Sequence, residues 1–150
     1  MSNQEIIRVK DVMKHNFDMA CGTDTVQSAL QKMEHHDSHL LIIEKRNDDD
    51  EYGIVMLADI AKKVIAKDRS ASRVNLYEVM SKPVISVRAN MDIRYCARLF
   101  NSFGLHVAPV VENECGKIIG TVSYDDIVLH GLIKLSEQEN TLEKLGQESS

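Results

Sequence analysis

The sequence repeats itself at an offset of 67 residues, and this repeat constrains the fold more than any other feature. The positions that coincide, with no gap between them, are Val12-Met13 with Val79-Met80, His39 with His106, Gly53-Ile-Val55 with Gly120-Thr-Val122, and Asp59-Ile60 with Asp126-Ile127. Two copies of one small unit predict two similar supersecondary elements. Neither copy buries enough apolar surface alone to be stable by itself.

Each copy contains a helix with an apolar stripe. Apolar residues recur at i, i+3, i+4 and i+7, which is the spacing of one helix face. They are Val26, Ala29, Leu30 and Met33 in the first copy and Ile93, Cys96, Ala97 and Phe100 in the second. Thr25 and Asp92 precede the stripes and are predicted to cap the two helices, because their side-chain oxygens can accept hydrogen bonds from the first N–H groups.

Short apolar runs predict three strands in each copy. They lie at Phe17–Ala20, Leu40–Ile43 and Tyr52–Met56, and again at Val84–Val87, Val107–Val111 and Lys117–Ser123. A closing helix follows each copy, with expected buried faces of Leu57, Ile60, Ala61, Val64 and Ile65, and of Tyr124, Ile127, Val128, Gly131 and Leu132. The predicted fold class is therefore α/β (α+β), with two pseudo-symmetric βαββα repeats.

These patterns predict a first repeat over residues 9–66, a polar linker over 67–75, a second repeat over 76–135 and a polar C-terminal extension over 136–150. A unit of about 60 residues has little core of its own, so the two repeats are expected to pack on each other. Leu135, Leu142 and Leu145 are placed to extend the last helix, and both helix and disorder stay open for the extension.

The composition is that of an ordinary globular chain, with 43% hydrophobic and 27% charged residues. A net charge of −5 and scattered basic residues argue against a nucleic-acid surface. No apolar run is long enough to cross a membrane, and the N-terminus lacks the pattern of a secretory signal. Three cysteines without paired spacing are typical of reduced thiols, so a cytoplasmic location is expected.

No residues form a recognisable catalytic or metal-binding pattern. The segment His35-His36-Asp37-Ser38-His39 has histidines near a helix end but no fixed acidic or cysteine ligand. The acidic run Asn47–Glu51 lacks the spaced ligands and the glycine of a calcium loop, so a solvated turn is expected. A nucleophile elbow, a P-loop and a Gly-x-Gly-x-x-Gly motif are missing. The prediction is a protein with no catalytic residue and no metal site.

The motifs together resemble the tandem cystathionine β-synthase (CBS) domain pair, also called a Bateman module. The resemblance rests on the Val-Met opening of each copy, on Pro109-Val110-Val111, and on Gly120-Thr-Val-Ser123-Tyr-Asp-Asp126-Ile127. The last stretch matches the Gly-x-x-Thr/Ser-x-x-Asp ribose motif of that family, whereas the first copy has Met56 at the hydroxyl position. The resemblance implies regulation by adenosine-containing ligands without chemistry on them, in clefts shared by the two repeats.

Ser123 and Asp126 are the leading candidates for the nucleotide site. A carboxylate at this position can accept charge-assisted hydrogen bonds from both ribose hydroxyls, and the helix start offers N–H groups and a positive dipole end to phosphate. The alternative is a capping box that only starts the helix. Asp59 is the equivalent candidate in the first copy, without its hydroxyl partner.

The family arrangement implies further lining residues. For the cleft of Ser123 and Asp126 they are Asn16, Phe17, Asp18 and Ser38, and for the cleft of Asp59 they are Pro83, Val84, Ile85 and Leu105. Asp18 departs from an apolar adenine wall, since a carboxylate there can accept the amino group of adenine but would repel a misplaced phosphate. His39 and His106 are expected either beside the phosphates, as hydrogen-bond donors, or as structural residues.

The predicted function is a non-catalytic regulatory module that binds AMP, ADP or ATP and signals to a partner protein. The alternatives are a structural interaction module with decayed sites and a binder of S-adenosylmethionine or NAD; an enzyme is the third class. A homodimer is expected, because Tyr95, Leu99 and Phe103 form an apolar face beside the core stripe of their helix. Neither nucleic acid nor membrane is expected as a partner.

Overall fold

The computed structural model describes residues 6–148, without the side chains at positions 138, 141, 142, 147 and 148. The first five residues, the last two residues of the extension and the side chain of Leu142 therefore lie outside the described part. The elements are α1 (Val9–Val12), β1 (Met19–Ala20), α2 (Val26–Lys32), β2 (Leu40–Ile43), β3 (Gly53–Met56), α3 (Leu57–Lys63), β4 (Val87–Arg88), α4 (Ile93–Phe103), β5 (Val107–Val111), β6 (Ile118–Ser123), α5 (Tyr124–Asp126) and α6 (Ile133–Glu148). The predicted βαββα order is confirmed in both repeats.

Two three-stranded sheets have the same topology. Their orders are β1-β2-β3 and β4-β5-β6, with a parallel first pair and an antiparallel second pair in each. The central strand β2 is buried at all four positions, which explains its uninterrupted apolar sequence. The first strands are shorter than expected, because only Met19–Ala20 and Val87–Arg88 pair with their neighbours. The predicted strand at Val84–Val87 is thus displaced towards its end.

The chain forms two compact units that cut across the sequence repeats. The first unit comprises residues 16–85, and the second comprises the N-terminal segment to His15 together with the chain from Ser86 onwards. The opening segment of the first repeat therefore belongs to the unit of the second repeat. The opening of the second repeat, with the 3₁₀ turn Leu76–Glu78, belongs to the first unit.

Equivalent backbone pairs hold the two opening segments in place. Lys14 and Thr121 exchange N–H···O=C hydrogen bonds of 2.8 and 2.9 Å, and Ser81 and Ile54 exchange two of 2.9 Å. These residues are related by the offset of 67 positions. Each opening segment thus covers the outer edge of the last strand in its unit, where backbone groups would otherwise lack partners. The opening segments also contribute to the cores, because Val12 and Val79, the valines of the two Val-Met motifs, are both buried.

Gly120 permits the close approach of one of these segments. A Cβ atom on Gly120 would overlap the carbonyl oxygen of Lys14, which is backbone and unable to swing aside. At the equivalent Gly53, a Cβ would lie 3.0 Å from the flexible Met80 sulfur and 3.3 Å from the Ser81 oxygen. Gly53 and Gly120 therefore both have a packing role. The requirement for a residue without a side chain is stricter at Gly120.

Gly120→Ala is expected to lower the free energy of unfolding by about 1–3 kcal/mol, the usual cost of overpacking a filled site. The loss should exceed that of Gly53→Ala, because the Met80 side chain can move. Denaturant unfolding monitored by circular dichroism measures both. Gly22→Ala is the matched control, since its Cβ would make ordinary contacts of 3.6 Å. Equal stability of the Gly120 and Gly22 variants would contradict the packing role.

The helix stripes form the two cores as predicted. Val26, Ala29 and Met33 are buried in the first unit, and Ile93, Cys96 and Phe100 are buried in the second. Thr25 and Asp92 cap their helices by accepting hydrogen bonds from the N–H groups of Ser28 and Arg94. These features depend on local periodicity, and the sequence predicts them correctly.

The closing helices bury narrower faces than expected. Ile60 and Val64 are buried in the first unit, but Ala61 and Ile65 are exposed. In the second unit Gly131 is buried, Tyr124 and Ile127 are half-buried, and Val128 and Leu132 are exposed. The expectation was wrong at these exposed positions, because each helix contacts its core along a single stripe.

The last helix runs from Tyr124 to Glu148, so the C-terminal extension is helical over the described residues. Its α-helical ends flank a π-helical segment, Ile127–Leu132. Gly131 lies in this segment, and a Cβ there would come within 2.6 Å of the Cδ1 atom of Ile93. The helix therefore approaches α4 at a residue without a side chain.

Candidate nucleotide-binding site

Ser123 and Asp126 form a reciprocal capping box at the start of the last helix. Asp126 is buried, with its side chain only 4% exposed. Its Oδ2 atom accepts hydrogen bonds of 3.0 Å from both the N–H and the Oγ of Ser123. The Oγ of Ser123 in turn accepts the N–H of Asp126 at 3.2 Å. The helix therefore begins with the predicted capping box, and this capping box uses only one of the two carboxylate oxygens of Asp126.

The second carboxylate oxygen of Asp126 faces Lys14. The distance from Oδ1 to the Lys14 Nζ is 3.9 Å, which is an ion pair too long to be a hydrogen bond. Among the described residues no donor lies within hydrogen-bonding distance of Oδ1. A buried carboxylate oxygen without a hydrogen bond is uncommon in native proteins and calls for an explanation. This orphaned acceptor is the main chemical feature of the site.

Lys14 lies beside the candidate site, and the sequence analysis did not predict it. Its backbone is fixed by the exchange of hydrogen bonds with Thr121, two residues before Ser123. Its position directly after the Val12-Met13 motif is the only signal in the sequence, and the chemistry becomes apparent only once the opening segment is paired with β6.

His106 and His39 occupy equivalent places. The carbonyl oxygen of each accepts a 3.0 Å hydrogen bond from the first residue of its closing helix, Tyr124 or Leu57. Both side chains are exposed, and the His106 ring lies 5.9 Å from the Tyr124 ring in an edge-to-face arrangement. His39 has a left-handed backbone with φ of 60°. The histidines thus have a structural backbone role, while their rings remain accessible at the helix starts.

The first unit offers a less complete version of this site. Met56 occupies the cap position of α3 and supplies no side-chain hydrogen bond. Asp59 is half-buried, and within residues 6–148 its carboxylate has no hydrogen-bonding or ionic partner. The acidic residue is therefore present without the hydroxyl that orients its counterpart.

Asp18 holds the end of α2. Its two carboxylate oxygens accept the N–H groups of Glu34 at 3.0 Å and His35 at 2.9 Å. Ser38 is similarly occupied, because its hydroxyl donates to the carbonyl oxygens of His35 and Leu40. The departure from an apolar wall at Asp18 thus has a local structural cause, since the turn after α2 uses this carboxylate.

The other predicted lining residues divide between the two units. The first unit holds Asn16, Phe17, Pro83, Val84 and Ile85, of which Phe17 and Val84 are half-buried and the others exposed. Val84 donates its N–H to the carbonyl oxygen of Tyr52 at 2.9 Å. Leu105 lies in the second unit and packs against that unit's core. The structure thus brings Ser123 and Asp126 together with Lys14 within one unit.

A family model identifies both repeats. The model of the CBS domain matches residues 9–66 and again residues 76–132. The chain belongs to the CBS domain family. Each of the two repeats is therefore a CBS domain.

Relatives with similar sequences include an uncharacterised protein of Methanopyrus kandleri. It is 27% identical over 122 residues, which cover 81% of this chain and 61% of that protein. The chain spans between 23% and 61% of the length of the curated relatives it matches.

Solved structures of CBS proteins show the same fold. A hexameric CBS-CP12 protein from bloom-forming cyanobacteria has a TM-score of 0.77 and 31% identity, with 84% of this chain and 68% of that chain covered. A CBS domain pair in complex with 5′-methylthioadenosine and S-adenosyl-L-methionine has a TM-score of 0.67 and 22% identity, with coverage of 83% and 94%.

Asp50 anchors the acidic turn of the first CBS repeat. Its Oδ1 lies 2.6 Å from the Lys82 Nζ, and its Oδ2 accepts the N–H and Nε–H of Arg46 at 2.8 and 3.1 Å. Lys82 and Arg46 hold the pKa of Asp50 well below its usual range. The expectation of a solvated turn was therefore wrong at this residue, because Lys82 ties it to the segment that contains Pro83 and Val84.

Asp50→Asn is expected to destabilise the protein at neutral pH and to have a smaller effect in acid. Because the folded-state pKa is depressed, the stabilisation is present above the unfolded-state pKa of about 4 and is lost as the pH falls below it. Urea unfolding between pH 2.5 and pH 7, treated as roughly two-state, measures the difference. Asp48→Asn, in the same turn, is the control. A difference between wild type and Asp50→Asn that does not shrink in acid would contradict the ion-pair account.

The cysteines and histidines add no metal site among the described residues. Cys96 is buried, and burial raises the pKa of its thiol to about 11. Cys21 is exposed and donates to Glu44, whose carboxylate raises the pKa of the thiol. No helix within residues 6–148 combines the length and apolar character needed to cross a bilayer.

Proposed function

We propose that this CBS pair is a non-catalytic regulatory module that binds an adenine nucleotide of the AMP, ADP and ATP class and signals to a partner protein. The observation that carries the proposal is the Oδ1 atom of Asp126, a buried acceptor that receives no hydrogen bond from any described residue. Ribose hydroxyls are suitable donors for it, because two neutral O–H groups can bond a carboxylate without displacing its cap.

The start of the closing helix supplies the second part of the site. The helix continues to Glu148, so its first turn has the positive dipole end of a long helix. His106 lies at this end with an exposed ring that can donate to phosphate. Within the first unit, Asn16, Phe17, Asp18 and Ser38 remain proposed adenine contacts, with Asp18 contributing only what its bonds to the α2 turn leave available.

The first repeat is proposed as the weaker site. Asp59 has the carboxylate, but Met56 stands at the cap position in place of a hydroxyl residue. His39, Pro83, Val84 and Ile85 of the same unit are its proposed companions. The CBS pair crystallised with 5′-methylthioadenosine and S-adenosyl-L-methionine supports the ligand class, since a protein of this fold holds adenosyl compounds. It also makes S-adenosylmethionine the ligand to test against the nucleotides.

A homodimer through α4 of the second repeat is part of the proposal. Tyr95 and Phe103 are 61% and 62% exposed, and the equivalent positions of the first repeat are the polar Ser28 and His36. Leu99 is half-buried against the core, so the expected face is reduced to its two aromatic residues. Pairing of this face with itself gives a closed two-fold contact, the commonest symmetry of oligomers.

A thermal-shift screen tests the ligand class. AMP, ADP, ATP, NAD and S-adenosylmethionine are added separately to the wild-type protein, and the melting temperature is recorded. A ligand at 100 times its Kd stabilises the folded state by about 2.7 kcal/mol, which is readily detected. Stabilisation by the nucleotides supports the proposal. Stabilisation by NAD or S-adenosylmethionine alone would reassign the ligand, and no stabilisation at all would favour a structural CBS module with decayed sites.

A further inference from the structure

Positive charge is concentrated in one short stretch of the first unit. Residues 62–73 contain five basic residues and one acidic residue, which gives a net charge of +4. The rest of the chain contains 13 basic and 22 acidic residues, which gives a net charge of −9. Like charges repel one another, so this concentration has an electrostatic cost.

The second repeat indicates that the fold does not require these charges. At the offset of 67 residues, the five basic residues Lys62, Lys63, Lys67, Arg69 and Arg73 correspond to Leu129, His130, Lys134, Ser136 and Asn140. Only one of the five equivalent residues is a lysine or an arginine. The two repeats have the same sheet topology without sharing this charge, so the charge is a property of the first repeat alone.

Two of the five basic residues have structural partners. Lys63 donates to the carbonyl oxygen of Val79 at 3.3 Å. Arg69 forms an ion pair of 2.9 Å with Glu78. Both contacts hold the 3₁₀ turn that opens the second repeat, and they account for these two cations within the first unit.

The other three cations surround an exposed apolar residue. Within residues 6–148, the side chains of Lys62, Lys67 and Arg73 have neither a hydrogen bond nor an ionic partner, and all three residues are exposed. Ile65 is 69% exposed, the highest value among the large apolar residues in the described part of the chain. We call these four residues the basic patch.

The basic patch lies on an ordered turn. Asp68 reverses the chain with a left-handed backbone, at φ of 53°. The carbonyl oxygen of Ala71 accepts the N–H of Gln27 at 3.0 Å, which ties the turn to α2. Val64 and Val74, on either side of the turn, are buried in the core of the first unit. Because the backbone is already fixed, a partner that binds here orders little more than its own chain and a few side chains.

We propose that the basic patch is the docking surface for an acidic segment of a partner protein, in which carboxylates flank an apolar residue. The carboxylates pair with the ammonium and guanidinium groups, and the apolar residue covers Ile65. This inference rests on the partner-signalling part of the proposed function, to which it adds the surface and the chemistry of the partner. It does not depend on the nucleotide site.

The composition of the chain favours a short acidic peptide over an extended polyanion. A nucleic acid carries negative charge along its whole length, and the chain outside residues 62–73 has a net charge of −9 that repels it. Residues 62–73 also contain no aromatic side chain on which a base could stack. An anionic membrane is an equally extended negative surface. A short segment meets the basic patch without meeting the acidic remainder.

Fluorescence anisotropy with a short labelled peptide of repeated Glu-Glu-Leu tests the inference. We expect the full chain to bind this peptide, and to bind it more weakly as salt rises from about 50 to about 200 mM. The variant that combines Lys62→Glu, Lys67→Glu and Arg73→Glu should bind about tenfold more weakly, because three exposed ion pairs are lost. Ile65→Ser should weaken binding about threefold through loss of the apolar contact.

A matched variant controls for net charge. It combines Lys10→Glu, Lys32→Glu and Lys117→Glu, three exposed residues outside the basic patch. Lys32 lies in the last turn of α2 as Lys62 lies in the last turn of α3, so the two variants disturb helix ends equally. The control should lower the peptide affinity less than twofold, roughly the effect of long-range charge alone.

Three results would overturn the inference: no binding of the peptide at tens of micromolar protein, equal losses in the two triple variants, or tighter binding of a single-stranded oligonucleotide or of phosphatidylserine vesicles than of the peptide. If the charge-reversed variant does not fold, the combination of Lys62→Gln, Lys67→Gln and Arg73→Gln gives the same test without reversing the charges. A thermal shift with AMP is recorded on every sample. A retained AMP shift without peptide binding rejects only the docking surface, and peptide binding without an AMP shift rejects only the nucleotide site.

Discussion

Asp126→Ala is expected to weaken nucleotide binding by about 10- to 150-fold. The carboxylate would lose charge-assisted hydrogen bonds to the ribose hydroxyls worth roughly 1.5–3 kcal/mol. Asp59→Ala should cost less, because the first repeat has Met56 at the position of Ser123. Calorimetric titration of both variants with AMP measures the two losses.

The control for Asp126→Ala must separate binding from capping, since Asp126 performs both roles. Ser123→Ala removes the cap at a cost of roughly 1 kcal/mol in stability but keeps the carboxylate. We expect it to lower the melting temperature as Asp126→Ala does, with a smaller loss of AMP affinity. Equal affinity losses in Asp126→Ala and Asp59→Ala would show that the second repeat is not the main site.

Tyr95→Glu combined with Phe103→Glu is expected to convert a dimer into a folded monomer. Two carboxylates on each copy would meet in a self-complementary contact, where burial of unpaired charge is strongly unfavourable. Light scattering should give twice 16.9 kDa for the wild type and 16.9 kDa for the double variant. Tyr95 and Phe103 are chosen because both are exposed, so their replacement leaves the core of the second unit intact.

Ile65→Glu is the control for this experiment. Ile65 is another exposed apolar residue, but it lies in the first unit, away from α4 in the sequence. It should leave the wild-type mass unchanged. A wild-type protein that is monomeric at tens of micromolar would contradict the dimer, and loss of the dimer only in Ile65→Glu would place the contact on the other unit.

Local patterns predicted the elements of the fold well. The stripe through Val26 and Met33 and its counterpart through Ile93 and Phe100 identified α2 and α4, with the correct caps at Thr25 and Asp92. Helices and their caps depend on contacts within one or two helical turns, so the periodicity of the sequence predicts them directly. Because the two copies are related by an offset of 67 residues, each helix or strand predicted in one copy was also predicted in the other.

The candidate site was only partly predictable. Ser123 and Asp126 lie three residues apart, so the capping geometry follows from the sequence. Lys14 reaches Asp126 only because its segment pairs with β6 at Thr121, a contact between distant parts of the chain. The hydrogen bonds of Asp18 were not predictable for the same reason, since its partners Glu34 and His35 lie beyond the intervening helix.

The sequence by itself determined the family, the order of strands and helices, and the carboxylate that begins the last helix. These depend on residue types at short spacings. Only the tertiary structure decided which unit each opening segment joins, which oxygen of Asp126 has no donor within the described part of the chain, and which apolar residues stay exposed, as Val128 does. Those outcomes depend on how distant segments fill a common core, because burial is a property of the packed chain and no local pattern specifies it.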